Sequence, residues 1–407
     1  MQLSRSTPRP TLRRHLQGAL AALALVPLAN AQIELVASET FEYAVPGLVH
    51  DGSTGIGWSN NWFITGASNN EIVMFDNSIS PAFALSDGVG GHAGQAVAFG
   101  QGYRRFDTGL HPDIRNANGK YGADGSTIWI SFSSVNYQGQ PFDHYGGVSL
   151  FNVGVGEELF LGSPWNTNAW GLDDEGPNGA PPALVPASSD ATATRLVYRI
   201  DFANGGERLR LWLNPAVPHP TGVADLDTPI ADLEFDELSI ASGGNNGDHY
   251  FWDNLVIEKG KPEVAASLPG GLCAAVANST GVAGSLAGYG SSVAADDDLC
   301  LQLGDLPQNA AGFVLSARSI FFIANPGGSQ GNLCLGQDLG RGVGGVIFNS
   351  GAAGAATVVA NLSAMPTSTG PVQAMAGETW FLQGWYRDFV GGSATSNLTN
   401  TIAVTFE

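Results

Sequence analysis

The chain has 407 residues, of which 43% are hydrophobic, 13% are charged and 55 are glycine. It contains 17 Lys and Arg residues against 37 Asp and Glu residues. This acidic balance argues against nucleic acid and anionic membrane surfaces as partners, because both require positive charge.

The first 31 residues have the layout of a secretory signal peptide. Four arginines form a basic front, an apolar run follows from Leu16 to Leu28, and Ala29 and Ala31 stand before a cleavage site at Gln32. Without this segment the chain carries 13 basic and 37 acidic residues, a formal charge of −24. No later apolar run approaches the ~18 residues that cross a bilayer. We therefore expect a secreted, extracellular or envelope-associated protein without a transmembrane segment.

Short alternating apolar runs, broken by Gly, Asn, Asp, Ser and Pro, predict an all-β protein. In the first part of the chain the predicted strands lie near residues 33–43, 71–76, 95–99, 127–137, 147–153, 158–162, 195–203, 207–213, 230–241 and 250–257. LVYRIDF and RLRLWLNP form a predicted hairpin around Asn204-Gly205-Gly206, where a positive φ is cheap. In the second strand of this hairpin, leucines alternate with Arg208, Arg210 and Trp212, which predicts one buried face and one solvent-exposed face.

The stretch EKGKPEVAASLPGG at residues 258–271 has the composition of a linker. It divides the chain into a predicted first domain at 32–258, a linker at 259–271 and a second domain at 272–407. Further strands are predicted in the second domain near 272–278, 282–288, 298–304, 312–317, 320–324, 344–348, 355–361, 371–375, 378–386 and 399–406. FDELSI and WDNLVI, seventeen residues apart, are interpreted as neighbouring strands with the same inside-outside phase and not as a repeat unit.

Several segments of the first part occur in an order that resembles a secreted bacterial concanavalin A-like (lectin/glucanase) jelly-roll domain. They are ETFEY, GIGWSNNW, TIWISF, LVYRIDF with LRLWLNP, FDELSI and WDNLVI. The resemblance covers residues 32–258 and implies a jelly-roll β-sandwich.

The second part, residues 272–407, resembles a β-rich module of unknown function that closes many secreted bacterial proteins. The segments that carry this resemblance are CAAVANSTGVAGSLAGYGS, LGDLPQNAAGFVLSA, NPGGSQGNLCLG and MAGETWFLQGWYRD. The resemblance implies a smaller β-sandwich with an accessory or display role. The three cysteines allow three pairings, and the usual cysteine positions of the module imply a disulfide between Cys273 and Cys334, with Cys300 free.

Laminarinase-type glucanases of the concanavalin A-like fold carry Glu-x-Asp-x-Glu on one strand, where alternate residues share a face. Glu234 and Asp236 begin this pattern, but Leu238 stands where the acid/base would be, and Glu237 points to the other face. We therefore expect no catalytic residues here, and interpret the carboxylates as the polar edge of the sheet. No HExxH motif, Gly-x-Ser-x-Gly motif or phosphate loop is present, and the histidines are scattered singly.

The same resemblance implies a structural calcium between an acid near the first strand and an Asp in the last strand of the jelly roll. Glu42, or in its place Glu39, and Asp253 are the candidate ligands, since calcium prefers carboxylate, carbonyl and water oxygens. The alternative is that Asp253 caps a turn or accepts a hydrogen bond from a backbone amide.

The loop SPWNTNAWGLDDEGPNG, residues 163–179, is the candidate ligand surface. Sugar sites combine flat aromatic faces with fixed amide or carboxylate groups, and Trp165, Asn168, Trp170 and Asp173 supply both. The alternative is that Trp170 opens a short strand and packs inward.

These observations predict a secreted, non-catalytic carbohydrate-binding or surface-adhesion protein, with a polysaccharide, a glycan or cell-surface and matrix components as partners. Two alternatives stay open. One is a structural envelope or matrix protein that binds proteins, and the other is a divergent glycoside hydrolase or lyase.

Overall fold

The computed structural model describes residues 33–41, 47–48, 55–63, 72–76, 91–95, 99–136, 143–174, 181–244, 250–268 and 273–407. The predicted signal peptide lies outside the described residues. Within these ranges no helix is long and apolar enough to cross a membrane. Short 3-10 turns occur at Pro112–Ile114, Ala294–Asp296, Pro326–Gly328, Val343–Gly345 and Leu362–Ala364.

The first part of the chain forms an N-terminal sandwich of fifteen described strands. They are β1 (Glu34–Glu39), β2 (Gly47–Leu48), β3 (Ile72–Asp76), β4 (Gly91–Gln95), β5 (Phe99–Arg105), β6 (Thr127–Asn136), β7 (His144–Asn152), β8 (Gly156–Ser163), β9 (Gly171–Asp173), β10 (Ala183–Leu184), β11 (Thr194–Asp201), β12 (Glu207–Leu213), β13 (Leu226–Ile230), β14 (Glu237–Gly244) and β15 (Tyr250–Lys259).

These strands pair antiparallel in two sheets, which confirms the predicted all-β sandwich. The front sheet has the order β10-β9-β8-β7-β14-β5. The back sheet has the order β13-β12-β11-β6-β15-β4-β3-β2, and β1 also pairs with β15. The predicted hairpin is present, with Leu196 of β11 opposite Leu213 of β12 and Gly205 at a φ of 92°.

The core of the N-terminal sandwich lies between its two sheets and is filled from alternate strand positions. Ile128 and Ile130 of the back sheet meet Leu238 and Ile240 of the front sheet in one cluster of buried side chains. FDELSI and WDNLVI therefore belong to opposite sheets, with β14 in the front sheet and β15 in the back sheet. The expectation that they are neighbouring strands is wrong, because the chain crosses between the sheets after β14.

The second part forms a smaller C-terminal sandwich. Its strands are β16 (Ala266–Ser267), β17 (Ser285–Gly290), β18 (Leu299–Gly304), β19 (Ala311–Ala317), β20 (Ile323–Ala324), β21 (Asn332–Leu333), β22 (Gly340–Arg341), β23 (Phe348–Asn349), β24 (Ala356–Val359), β25 (Met365–Thr367), β26 (Gly370–Val372), β27 (Thr379–Val390) and β28 (Ser393–Thr405).

Two sheets enclose a separate core in this C-terminal sandwich. One has the order β16-β28-β27-β19-β22, with β23 also on β19, and the other has the order β17-β18-β24. Leu301 and Val358 of the small sheet share a buried cluster with Leu382 and Val404 of the large one. The segment expected to be a linker contributes β16, which pairs with β28.

A disulfide joins Cys273 to Cys334, the pairing that the resemblance implies, and Cys300 is free. Cys334 lies in the loop that follows β21, and its backbone amide donates to the side chain of Gln383 on β27. The bond closes a loop of 61 residues. In the chain-entropy model, closing a loop of this size stabilises the folded state by about 4 kcal/mol.

Part of the outer face of the back sheet lies against the C-terminal sandwich. Arg199, only 1% exposed, pairs with Asp201 of its own strand and with Asp298. Asp296 accepts from Arg208 at 3.1 Å and lies 3.3 Å from Arg210. The prediction of a solvent-exposed face on β12 is therefore wrong for Arg210 and Trp212, which are buried, while Arg208 stays 42% exposed. Arg210 is buried because it contacts Asp296, a carboxylate about 85 residues distant in sequence.

Asp298 is the centre of this contact. Burial opposes ionisation of its carboxyl group, but the charges and hydrogen bonds of Arg199 and Lys261 outweigh burial and lower its pKa. The ionised form is thus favoured in the folded protein. Its contribution to stability is present above pH ~4, the ordinary pKa range of Asp, and is lost as the pH falls through the lowered value.

We predict that Asp298→Asn lowers the free energy of unfolding by about 2–3 kcal/mol at pH 7, because buried Arg199 then keeps only Asp201 as its opposing charge and Lys261 loses its partner. Urea denaturation at pH 7 measures this. The matched control is Asp338→Asn, whose partner Arg318 is 42% exposed, and its effect should stay within about 1 kcal/mol. Equal effects of the two substitutions would contradict the assigned role of Asp298.

Candidate functional site

The carboxylates of residues 234–237 are held by structural partners. Glu234 lies before β14 and accepts hydrogen bonds from Asn116 at 2.6 Å, Asn118 at 2.9 Å and Asn152 at 3.0 Å. The bond from Asn118, joined by those from Asn116 and Asn152, lowers the pKa of Glu234. A group held in its ionised form by three amides is poorly suited to donate a proton.

The two acids that follow are engaged as well. Asp236 accepts from the backbone amide of Val153 at 2.9 Å. Glu237 pairs with Arg105 on the neighbouring strand β5 at 2.8 Å. Leu238, at the position where a glucanase would carry its acid/base, is fully buried in the core. Because β14 lies between β7 and β5, these acids stand at the start of an interior strand, and the interpretation of them as the polar edge of the sheet is wrong.

A second polar cluster lies buried at one end of the N-terminal sandwich. Asp190 Oδ2 accepts from Tyr250 at 2.6 Å and Ser163 at 2.7 Å, and lies 3.0 Å from His144 Nε2. Burial opposes ionisation of Asp190, but the hydrogen bonds from these three side chains lower its pKa. A catalytic triad places His between Ser and Asp. Here Asp is the central residue and all four side chains are buried, so the cluster joins strands and carries no nucleophile.

The solvent-facing side of the front sheet carries a different arrangement. Strand register places Tyr103, Ser239, Ser149, Phe160 and Asp173 in one row across β5, β14, β7, β8 and β9. Small side chains thus occupy the middle of the row, with an aromatic ring on either side of them and a carboxylate at one end.

The next row across the front sheet is almost free of side chains. Gln101 lies opposite Ala241, which is followed by Gly147, Gly162 and Gly171. These small residues are themselves buried, with Ser149, Ser239 and Ala241 at most 3% exposed. A cleft of about 250 Å³ lies over this part of the sheet. Its lining comprises Gln101, Tyr145, Ser149, Glu157, Phe160, Pro164, Trp165, Asp173 and Ala241.

Three aromatic rings form one wall of this front-sheet cleft. Tyr145 lies between the other two, with ring centroids 5.9 Å from Phe160 and 5.8 Å from Trp165. Trp165 is 46% exposed, so much of its indole is open to a ligand. Aromatic faces bounded by amide and carboxylate groups suit the apolar side and the hydroxyls of a sugar ring.

Asp173 is the carboxylate at the end of the row. Partial burial raises its pKa, and the adjacent charge of Asp174 adds to this effect. Asp174 itself accepts from the backbone amide of Ala231 at 2.8 Å. Contact with hydrogen-bond donors or with a positive charge would therefore stabilise the ionised form of Asp173 in this cleft.

The structure brings together two of the four residues predicted to bind a ligand. Trp165 and Asp173 both line the front-sheet cleft. Trp170 is fully buried in the core directly before β9, so its prediction as a ligand contact is wrong and the inward-packing alternative holds. Asn168 takes a φ of 52° in the turn before Trp170 and is not among the lining residues.

The residues proposed for calcium do not form a metal centre within the described residues. Glu42 lies outside them. Glu39 accepts hydrogen bonds from Trp62 and Arg104, which supplies its countercharge. Asp253 is buried and accepts from the backbone amide of Asn254 at 2.8 Å. In the part of the chain that the structure describes, no three His, Cys, Asp or Glu side chains are grouped to hold a metal ion.

Sequence reasoning missed Tyr145, Phe160, Gln101 and Glu157 in the cleft lining. A signal was present in HYGGVSLFN, where Val148 and Leu150 alternate with small residues. In such a strand the large apolar side chains face the core, and only small side chains stand on the opposite face. Its neighbours in the sheet, however, are set by register and are not visible in one sequence.

A larger cleft, of about 830 Å³, lies between the two sandwiches. Its charged residues largely pair with each other: Lys259 with Asp113 at 2.7 Å, and Lys261 with Asp298. The charges that line this cleft are used by the protein itself, which favours the front-sheet cleft as the ligand site.

No protein-family model matches the chain, and no curated protein matches it. Among solved structures it is similar to the catalytic domain of a glycoside hydrolase family 131 protein from Coprinopsis cinerea, with 13% identity over 55% of this chain and 94% of that chain and a TM-score of 0.31. A non-specific endo-β-1,3(4)-glucanase of family GH16, SCLam, is 10% identical over 57% and 93%, with a TM-score of 0.29. The lectin UEA-II complexed with galactose is 11% identical over 57% and 100%, with a TM-score of 0.25. At these scores the similarities assign no activity to this chain.

Glu207, which lies beside the turn of the β11–β12 hairpin, makes the stability of the folded protein depend on pH. It is 3% exposed, its Oε1 accepts from the backbone amide of Leu233 at 3.0 Å, and its Oε2 has no hydrogen-bond partner. Burial, aided by the charges of Asp232 and Asp124, raises its pKa from 4.5 to about 7. The folded state thus favours the protonated form, and this stabilisation is lost as the pH rises through about 7.

We predict that Glu207→Gln raises the melting temperature by a few degrees at pH 8 and changes it little at pH 4.5, since the amide cannot ionise. Thermal unfolding at both pH values measures this, with the exposed Glu263→Gln as the matched control. A lower melting temperature at pH 8 than that of the wild type would contradict the assignment.

Proposed function

We propose that the protein is a secreted, non-catalytic carbohydrate-binding protein that holds a glycan in the front-sheet cleft. The observation that carries the proposal is the cleft itself. An aromatic wall formed by Tyr145, Phe160 and Trp165 faces a floor of small residues, with Asp173 at the end of the row. The cleft volume of about 250 Å³ is slightly below the ~300 Å³ of small drug-like sites, which suits a single sugar ring or a chain end.

The absence of catalysis is part of the proposal. It is supported by the partners of the carboxylates at 234–237. Glu234 is held by three amides, Asp236 by a backbone amide and Glu237 by Arg105. A retaining glycosidase needs two carboxyl groups about 5–5.5 Å apart, one of which donates a proton. The lowered pKa of Glu234 supports the proposal, because it disfavours proton donation by that carboxyl group.

A divergent glycoside hydrolase or lyase is the second candidate, because one observation favours it. Asp173 has a raised pKa and shares the cleft with Glu157. A carboxyl group with a raised pKa is a candidate general acid. Release of new reducing or unsaturated sugar ends from a bound glycan, lost in Asp173→Asn, would establish the enzyme and replace the non-catalytic proposal.

If the protein binds a structural calcium ion, Glu42 and Asp253 are its proposed ligands, because Glu39 already pairs with Arg104. If calcium binds the folded protein, it raises the melting temperature over that of the chelated protein. Export likewise rests on the layout of residues 1–31.

The test is binding of residues 32–407 to a broad glycan panel, with calcium and then with EDTA. We expect at least one glycan to bind, and Trp165→Ala to weaken it about tenfold, equivalent to about 1.4 kcal/mol of lost ring contact. Phe321→Ala is the matched control, because Phe321 is 57% exposed in the C-terminal sandwich, and it should leave the affinity unchanged.

Loss of stability does not confuse this result, because Trp165 is a surface residue and its variant should unfold at the wild-type temperature within a few degrees. If no glycan binds, the proposal is wrong, and a structural envelope or matrix protein that binds other proteins becomes the leading hypothesis. If Trp165→Ala and Phe321→Ala bind equally well, the site lies elsewhere.

A further inference from the structure

The front-sheet cleft has an uneven charge. Its nine lining residues include the carboxylates Glu157 and Asp173 and no Lys or Arg. Asp174 adjoins Asp173 in sequence, and its charge contributes to the raised pKa of Asp173. A ligand in this cleft therefore meets negative charge at close range.

All Lys and Arg residues after the predicted signal peptide can be placed. Residues 32–407 contain 13 Lys and Arg, and all of them lie in the described ranges. Four of these are committed to the contact between the sandwiches and to Asp201 or Asp227: Arg199, Arg208, Arg210 and Lys261. Three more belong to the C-terminal sandwich: Arg318, Arg341 and Arg387.

The remaining six lie in the N-terminal sandwich, and most of them have partners away from the cleft. Arg104 pairs with buried Glu39, Lys259 pairs with Asp113, and Lys120 donates to Asn152. Arg115 donates to backbone carbonyls and lies over the ring of Tyr121. Arg195 lies on β11 of the back sheet.

Arg105 is the sixth, and it lies on the front sheet. It stands four residues from Gln101 on the same face of β5, about 13 Å along the strand at ~3.3 Å per residue. Its guanidinium pairs with Glu237 at 2.8 Å. It is therefore paired and distant from Asp173, which lies at the other side of the sheet on β9.

We propose that the front-sheet cleft selects sugars that carry no carboxylate or sulfate group. This inference rests on the proposed function and gives it a substrate class: neutral glycans, as opposed to uronate or sulfated ones. An anionic group taken from water into this cleft is repelled by the charges of Glu157 and Asp173. No Lys or Arg lines the cleft to offset this repulsion.

The experiment uses soluble oligosaccharides of glucose, galactose and mannose, each with its form oxidised at C6 to the uronate. The pairs share linkage and length and differ in the carboxylate. Calorimetric titration into residues 32–407 at pH 7 should show each binding neutral oligosaccharide lose at least tenfold in affinity on oxidation in 20 mM salt. The difference should shrink in 500 mM salt, because the repulsion is screened.

Two variants test the assigned cause. Asp173→Asn and Glu157→Gln each remove one charge and keep the size of the side chain. Each should reduce, at least threefold, the ratio of the affinity for the neutral oligosaccharide to the affinity for its oxidised form. Asp338→Asn, which removes a carboxylate from the C-terminal sandwich, is the matched control and should leave this ratio unchanged.

The outcomes separate this inference from the proposed function. If an oxidised form binds as tightly as its neutral parent, or if the tightest ligand of the broad panel is itself acidic, charge selection is overturned while glycan binding stands. If the affinity ratio favours the neutral form but is unchanged in both cleft variants, the cleft carboxylates are not its cause and the inference fails. If no glycan of either class binds, the proposed function fails and takes the inference with it.

Discussion

The buried arginines of the back sheet are the interaction on which the arrangement of the whole molecule depends. Arg199 and Arg210 point away from the core of the N-terminal sandwich, yet both are almost fully buried. A buried guanidinium without an opposing charge is costly, and Asp296 and Asp298 of the C-terminal sandwich supply that charge. The back sheet thereby packs on the second sandwich, and the cleft that we propose to bind a glycan lies on the front sheet.

The carboxylates at residues 234–237 illustrate how a catalytic motif and a structural one can share residue types. Glu234 and Asp236 hold the loops at 116–118 and 152–153 against the start of β14. The hydrogen bonds from Asn118, Asn116 and Asn152 lower the pKa of Glu234 and so stabilise it as an anion. A proton donor needs the opposite environment, with burial or a like charge raising its pKa. In the front-sheet cleft, Asp173 has that environment, which is why the hydrolase alternative is directed to Asp173.

Local patterns predicted much of the fold, and non-local contacts account for what they missed. The alternation in RLRLWL identified Leu209 and Leu211 as core residues, because period two depends only on the strand. It assigned Arg210 to solvent, since nothing near it in sequence indicates Asp296. In the site, the composition of the loop correctly indicated Trp165 and Asp173. The prediction for Trp170 was wrong, because this residue stands directly before β9 and packs into the core. Tyr145 and Phe160 escaped notice because their adjacency to Trp165 depends on strand register and loop course.

The most direct measurement is a crystal structure of residues 32–407 with the tightest glycan of the panel bound. The account predicts a sugar ring in van der Waals contact with the Trp165 indole, with a hydroxyl donating to Asp173, and the two sandwiches still joined through Arg199 and Asp298. A glycan seated in the larger cleft between the sandwiches, or on the C-terminal sandwich, would contradict it.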